Sequence, residues 1–188
     1  MTSYLEVSEP RPHVRQLTLN RPERMNAMSF DTVTPLRDAL RDAGEDNDAW
    51  VVILTGSGAG FCSGLDLEDA GMPPNSVGLP LSRMAMRAME HFSELVPIMR
   101  GLPQPVIAAV NGPAIGGGMC LSLGADIRVA ARSAYWRAAG INNGLGAVEL
   151  ARAADDPRVG STRRAAVPAH GVDGIGGDEG GRGHRRER

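Results

Sequence analysis

The chain has 188 residues, the length of one domain. Apolar residues make up 42% and charged residues 22%, which excludes a collagen-like or wholly disordered chain. A net charge of −2 provides no positive field for nucleic acid or an anionic membrane. Two cysteines without CxxC spacing, no signal sequence and no apolar run of about 18 residues indicate a cytoplasmic protein that spans no membrane.

The composition changes near residue 150. Residues 1–150 alternate apolar runs with turn residues, and we expect them to form the folded domain. Residues 151–188 consist largely of Gly, Arg and Ala, which bury too little apolar surface to offset the entropy lost on ordering. We predict a disordered tail here. A change of reading frame near Gly146 is the alternative explanation of so abrupt a shift.

Hydrophobic periodicity predicts strands that alternate with helices. Period-two alternation or continuous apolar runs predict strands at 13–19, 50–55, 105–110 and 126–131, and we expect the second and third to be buried on both faces. Apolar residues at helical spacing predict a helix capped by Ser29 that ends at Gly44, one over 81–100 and one opened by the glycines at 116–118. On the second of these helices Met84, Met89, Phe92, Leu95 and Met99 form an apolar side, which we interpret as core packing. Strands alternating with helices indicate an α/β fold with a mostly parallel sheet.

Two glycine-rich turns each follow a predicted buried strand. The first, at 56–60, leads into Phe61-Cys62-Ser63-Gly64-Leu65-Asp66-Leu67, and the second, at 116–118, opens a helix. Glycine lets a ligand atom come close to the backbone, and the start of a helix leaves N–H donors unpaired. Two such donors converging on one oxygen form an oxyanion hole, which stabilises the enolate or tetrahedral anion of a thioester.

The two glycine-rich turns, together with four further motifs, resemble the crotonase, or enoyl-CoA hydratase/isomerase, superfamily over residues 17–144. The further motifs are Asn20-Arg21-Pro22, Asn26-Ala27, the strand leading to Asn111-Gly112, and Asp126. The resemblance implies a crotonase-like spiral of ββα repeats. It implies that the N–H groups of Leu65 and Gly117 hold the acyl-CoA thioester oxygen, as in fatty-acid β-oxidation. It implies substrate contacts at Arg24, Met25, Ala27, Ser63, Gly64, Asp66, Leu67 and Gly116. No metal or redox cofactor is implied, since the CoA thioester is the substrate.

Two positions depart from the pattern of the hydratases. In that family two glutamates position and activate water, and here those positions are Cys120 and Gly140. Neither residue holds water and exchanges a proton with carbon near neutral pH, and we interpret Cys120 as a small packed residue. Asp66 and Glu149 are the nearest carboxylates by motif position, although Asp66 could simply cap its turn. A non-catalytic acyl-CoA-binding remnant is therefore the alternative to a hydratase/isomerase.

The chain is short for this family. Its members continue with helices that complete the acyl pocket and pack in trimers, and the Gly- and Arg-rich tail has no counterpart to them. The resemblance implies a homo-oligomer, but folding, assembly and activity are all in question for a truncated or frameshifted member.

Two other interpretations are disfavoured. The segment 60–64 mimics a nucleophile elbow with Cys62 as nucleophile and His91, His170 and Asp126 as partners, but an elbow follows its strand directly and this strand ends near Thr55. The turn at 56–60 resembles a dinucleotide-binding loop, but its third glycine comes too soon for that fingerprint.

Overall fold

The computed structural model describes residues 4–139. The predictions for Gly140, Gly146, Glu149, His170 and the tail lie outside these residues. Within them the chain forms β1 Leu5–Arg11, β2 Val14–Leu19, α1 Phe30–Glu45, β3 Val51–Gly56, α2 Leu81–Ser93, α3 Leu95–Gly101, β4 Val106–Val110, β5 Ala114–Ile115, α4 Gly117–Gly124, β6 Ile127–Ala130 and β7 Trp136–Arg137, with a 3-10 turn at Pro22–Arg24. Helices lie between β2 and β3, between β3 and β4, and between β4 and β6, as the α/β interpretation requires.

The main sheet has the strand order β1-β2-β3-β4-β6. Only the edge pair β1–β2 is antiparallel, and β2, β3, β4 and β6 run parallel. The predicted α/β fold with a mostly parallel sheet is therefore confirmed. The short strands β5 and β7 form a separate parallel pair. Sequence patterning missed β1 because Leu5 is its one buried residue.

The core lies between the sheet and helices α1, α3 and α4. Val33, Leu36 and Leu40 of α1 are fully buried, at the helical spacing that the sequence shows. In β3 the buried residues Val52 and Leu54 alternate with half-buried ones. In β4 the buried residues Val106, Ala108 and Val110 alternate with half-buried ones in the same way. The prediction that both strands are buried on both faces was therefore wrong, because alternate side chains of a strand point to opposite faces and one face stays partly open.

Two details of the predicted helices also differ. The segment 81–100 forms two helices, α2 and α3, separated by Glu94. On the predicted apolar side, Leu95 and Met99 of α3 are buried and Phe92 of α2 packs against the core, but Met89 is 42% exposed, so the core-packing interpretation was wrong for Met89. Ser29 occupies the N-cap position of α1, but its side chain accepts no capping hydrogen bond from the helix backbone.

Candidate active site

Two loops leave the same edge of the sheet. Strands β3 and β4 are parallel, so their carboxyl ends point the same way, and the loops after Gly56 and Val110 meet there. The side chain of Asn111 joins the two loops. Its Oδ1 accepts a hydrogen bond from the Gly56 N–H (3.3 Å), and its Nδ2 donates to the carbonyls of Gly58 (3.0 Å) and Gly60 (3.1 Å).

The two predicted oxyanion segments are in contact. The Ile115 N–H donates to the Cys62 carbonyl (2.9 Å). A Cβ atom on Gly64, which has φ +94°, would lie 2.9 Å from the Ile115 carbonyl oxygen and 3.2 Å from the Gly117 nitrogen. One on Gly118 would lie 2.2 Å from the Cys62 carbonyl oxygen. Side chains at these glycines would force the loop and the start of α4 apart.

Leu65 and Gly117 each carry an unpaired backbone donor at this contact. Among the described residues neither N–H donates a hydrogen bond. Gly117 begins α4, where no preceding turn supplies an acceptor. The preceding residue, Gly116, has φ +53° and donates its own N–H to the Arg137 carbonyl (2.9 Å). Two free donors therefore stand on adjoining segments with no competing partner among residues 4–139.

The segment 24–27 lies beside this contact. The Ser63 N–H donates to the Met25 carbonyl (3.0 Å), and the Ser63 hydroxyl donates to the Arg24 carbonyl (3.3 Å). Ala27 is buried. The structure thus brings together the predicted residues of 24–27 and 63–66, whereas the Leu67 side chain is 65% exposed.

A buried amide fixes the bend of this segment. Asn26 is 1% exposed and adopts φ +55°, which asparagine tolerates better than most residues. Its Oδ1 accepts from the Arg21 N–H (2.9 Å), and its Nδ2 donates to the carbonyls of Ser57 and Gly60 (2.9 Å each). The Asn26 amide thus uses its oxygen and both of its N–H groups, and the two N–H groups hold the segment 24–27 against the loop after β3.

Asp66 is the most heavily engaged carboxylate of the site. Its Oδ1 accepts from Arg24 Nη2 (2.8 Å) and from the N–H groups of Glu68 (3.1 Å) and Asp69 (3.0 Å). Its Oδ2 accepts from Arg21 Nη1 (2.9 Å). The hydrogen bond from Arg24 is the main cause that lowers the pKa of Asp66 to about 2, and the same contact raises the pKa of Arg24. Asp66 is thus a fully ionised residue that caps its own turn.

The cysteines and their proposed partners do not form a nucleophile site in residues 4–139. Burial raises the pKa of the Cys62 thiol to about 12, and the thiolate is the form that reacts. Asp126 accepts a hydrogen bond from the Val106 N–H at the start of β4, the end of the strand opposite the site. His91 contacts Thr34 of α1 instead. Cys120 is buried on α4, as a packed residue is expected to be.

Sequence reasoning missed the roles of Arg21 and Asn111. Arg21 is 5% exposed and forms ion pairs with Asp66 and Asp69 (2.9 Å each), which are more than 40 positions away. Asn111 joins two loops that follow different strands. The signal available was that both are polar residues directly after a predicted strand, but their partners depend on how the strands pair.

Comparisons with known proteins place the chain in a family. The sequence profile of the enoyl-CoA hydratase/isomerase family matches residues 10–161. A curated relative, a probable enoyl-CoA hydratase of Mycobacterium bovis, is 53% identical over 172 residues, which are 91% of this chain and 60% of the relative. The 1,2-epoxyphenylacetyl-CoA isomerase of Escherichia coli is 42% identical over 121 residues, 64% of this chain and 45% of the relative.

Solved structures share the fold. A probable enoyl-CoA hydratase/isomerase from Mycobacterium abscessus superposes with a TM-score of 0.71 at 48% identity, covering 81% of this chain and 60% of that one. A monofunctional enoyl CoA isomerase from Mycobacterium smegmatis gives 0.62 at 46% identity, covering 79% and 58%.

The fold is that of the crotonase superfamily. The chain belongs to the enoyl-CoA hydratase/isomerase family, and it spans about 60% of the length of its similar mycobacterial relatives. No helix within residues 4–139 is both long and apolar enough to cross a membrane.

Proposed function

We propose that this chain binds an acyl-CoA thioester and stabilises the enolate form of its carbonyl oxygen through the N–H groups of Leu65 and Gly117. The observation that carries the proposal is the contact between these two segments, each with an unpaired donor. In the proposed reaction, negative charge develops on the thioester oxygen when a proton leaves the α-carbon or when water adds to the β-carbon of an enoyl-CoA. Preorganised donors aimed at that oxygen lower the barrier for either route.

The proposed substrate contacts lie in the segments 24–27 and 63–67 and at the start of α4. They are Arg24, Met25, Ala27, Ser63, Gly64, Asp66, Leu67 and Gly116. Arg24 is the one arginine among them, and we propose that it attracts the anionic CoA moiety. Its guanidinium is already held by Asp66 and by Glu68 (2.7 Å), and Glu68 is 79% exposed at its side chain. A phosphate can displace that exposed carboxylate with little desolvation, since exposed ion pairs are weak.

The chemistry needs no metal or redox cofactor in this proposal. Double-bond migration moves a proton within the CoA thioester, and hydration adds one water to it, so neither reaction needs an oxidant or a reductant. We also propose a cytoplasmic location, and a homo-oligomer of the kind expected for the family.

A non-catalytic acyl-CoA-binding protein is the second candidate, and Cys120 favours it. The position that holds a glutamate in the hydratases has a buried thiol here, which supplies no carboxylate to hold water. In this alternative the donors of Leu65 and Gly117 bind the thioester without turnover.

Thermal unfolding of the 188-residue chain, with and without a saturating acyl-CoA, tests binding. Ligand at 100 times its dissociation constant adds about 2.7 kcal/mol to the free energy of unfolding, so the transition is expected to move upward. An unmoved transition would contradict both candidates. The same protein is then given a 2-enoyl-CoA and a 3-enoyl-CoA. Formation of the hydroxy product or of the shifted double bond supports the enzyme, and binding without conversion supports the alternative.

A further inference from the structure

The backbone on both sides of Leu65 is fixed to a single residue, Met28. The Met28 N–H donates to the Gly64 carbonyl (2.7 Å), and the Asp66 N–H donates to the Met28 carbonyl (2.9 Å). The Gly64 carbonyl and the Leu65 N–H belong to one planar peptide group and point in opposite directions. Holding the carbonyl therefore sets the direction of the Leu65 N–H.

Asp66 provides the last buried anchor of this segment before a run of exposed residues. Its side chain is 2% exposed, whereas Leu67, Glu68 and Asp69 are exposed. Motion of these three exposed residues is transmitted along the backbone to Leu65 unless the side chain of Asp66 is held in place. The ion pairs and turn hydrogen bonds of its carboxylate are charge-assisted and directional, which is the kind of contact that holds a side chain in one geometry.

Arg21 holds Asp66 from the other side. Its guanidinium is itself buried, packs over the Tyr4 ring at 4.8 Å, and reaches Asp66 and Asp69 with separate nitrogens at 2.9 Å. The Arg21 N–H also donates to the Asn26 side chain (2.9 Å). Arg21 therefore connects the loop that carries Leu65 to the rigid turn at 21–26.

We infer that Asp66 and Arg21 form a positioning pair for the Leu65 donor, and that the pair sets how strongly this N–H polarises the thioester carbonyl. The inference rests on the proposed function, because it needs a carbonyl oxygen at Leu65. Neither side chain touches the reacting atoms. Their effect passes through the orientation of the Leu65 peptide, and a small misplacement of such a donor weakens catalysis strongly.

The variant Asp66→Asn separates positioning from turn formation. Asparagine has the same shape and keeps one oxygen for the N–H groups of Glu68 and Asp69. Its amide nitrogen, however, can only donate, and it would face Arg21 Nη1 and Arg24 Nε, which also only donate. The ion pairs with Arg21 and Arg24 lose their negative partner while the turn is kept, and Arg21→Lys below isolates the contribution of Arg21. Asp69→Asn is the matched control, because it removes the other carboxylate from the same arginine at a residue whose side chain is 67% exposed.

The readout is the infrared carbonyl frequency of a saturating acyl-CoA labelled with ¹³C at the thioester carbon, bound to the 188-residue chain. Wild type and Asp69→Asn are expected to lower this frequency by the same amount relative to the free ligand. Asp66→Asn is expected to lose at least half of that shift while still binding. A full shift in Asp66→Asn would overturn the inference, and this frequency does not respond to stability alone.

Arg21→Lys covers the case in which Asp66→Asn fails to fold. Lysine keeps the charge but lacks the planar guanidinium that holds the Asp66 carboxylate in one orientation, so the same partial loss of the carbonyl shift is expected, and a full shift overturns the inference. If both variants lose the fold, the pair acts in stability alone and the inference is also overturned. A wild-type chain that binds acyl-CoA with no shift contradicts the proposed function itself, which distinguishes the two failures.

Discussion

Gly64 and Gly117 meet backbone to backbone, with the Cα of Gly64 only 3.8 Å from where a Cβ on Gly117 would lie. This contact joins the loop after β3 to the first turn of α4. The two unpaired donors of the site, at Leu65 and Gly117, lie on these adjoining segments. The proposed thioester site therefore depends on the absence of a side chain at Gly64, where a Cβ would lie 3.2 Å from the Gly117 nitrogen.

Gly64→Ala is expected to destabilise the protein by about 2 kcal/mol, the scale of a residue forced into an unfavourable backbone region. Its φ of +94° is strained for alanine, and the new methyl group would meet the Ile115 carbonyl at 2.9 Å. Acyl-CoA binding should fall with it. Thermal or urea unfolding measures the first effect. Gly101→Ala is the control, since no heavy atom lies within 4 Å of its Cβ position. Equal effects of the two substitutions would contradict the account.

Asn26→Asp is expected to cost about 3 kcal/mol, because a buried donor becomes an acceptor that faces the carbonyls of Ser57 and Gly60. The substitution keeps the shape and the tolerance of a positive φ. Asn75→Asp is the matched control, because Asn75 has the same φ of +55° but is exposed. Denaturant unfolding of both variants checks the difference. A cost at position 26 no larger than that at position 75 would show that the buried amide is unimportant.

Both cysteines are expected to resist thiol reagents in the folded chain. Cys62 and Cys120 are buried, and burial raises the pKa of Cys62 to about 12, so little thiolate forms at pH 8. Labelling by a chromogenic disulfide is expected to proceed only in denaturant. Rapid reaction of Cys62 in the native state would restore the nucleophile-elbow interpretation.

His91 makes stability depend on pH. Burial first, and then the guanidinium of Arg37, lower the pKa of His91; Arg41 also lowers it, while Glu94 and Asp38 oppose the shift. Arg37 donates to Nδ1 of His91, and Nε2 of His91 lies 3.0 Å from the Thr34 hydroxyl.

Because the pKa of His91 is lower in the folded than in the unfolded chain, the unfolded state binds the proton first as the pH falls. Stability is therefore greatest above about pH 6.5 and falls as the pH drops below it. Unfolding between pH 7.5 and 5 should show a smaller loss in His91→Gln, and an equal loss would contradict this cause.

Local sequence patterns predicted the strands β2, β3, β4 and β6 and helices α1 and α4, because each carries its own periodicity or glycine signal. They failed for the burial of Met89 in α2, which follows helical spacing and yet is 42% exposed. Spacing shows that a face is apolar, but what covers that face depends on the rest of the fold. Strand β1 has too little apolar alternation to be detected.

The site was predictable where glycine marks it. Gly64 and Gly116–Gly118 follow strands whose parallel pairing brings their ends together, so a shared edge follows from the sequence pattern. The ion pairs of Asp66 were not predictable, since Arg21 is 45 positions away in sequence. Long-range polar contacts depend on three-dimensional packing, which periodicity does not encode.

The most direct test of the thioester site compares two ligands and two variants. A saturated acyl-CoA has a carbonyl oxygen, and the corresponding S-alkyl-CoA does not, so their difference in affinity isolates the contact with that oxygen.

The two variants separate the Gly117 N–H from the bulk of a side chain. Gly117→Pro removes the N–H at a position where a helix accepts proline, and Gly117→Ala adds bulk but keeps the N–H. Either side chain meets the flexible end of Met28. Wild type and Gly117→Ala are expected to prefer the acyl-CoA by about tenfold, about 1.4 kcal/mol, the scale of one hydrogen bond. Gly117→Pro should lose most of this preference. A preference retained in Gly117→Pro would contradict the role of the Gly117 donor.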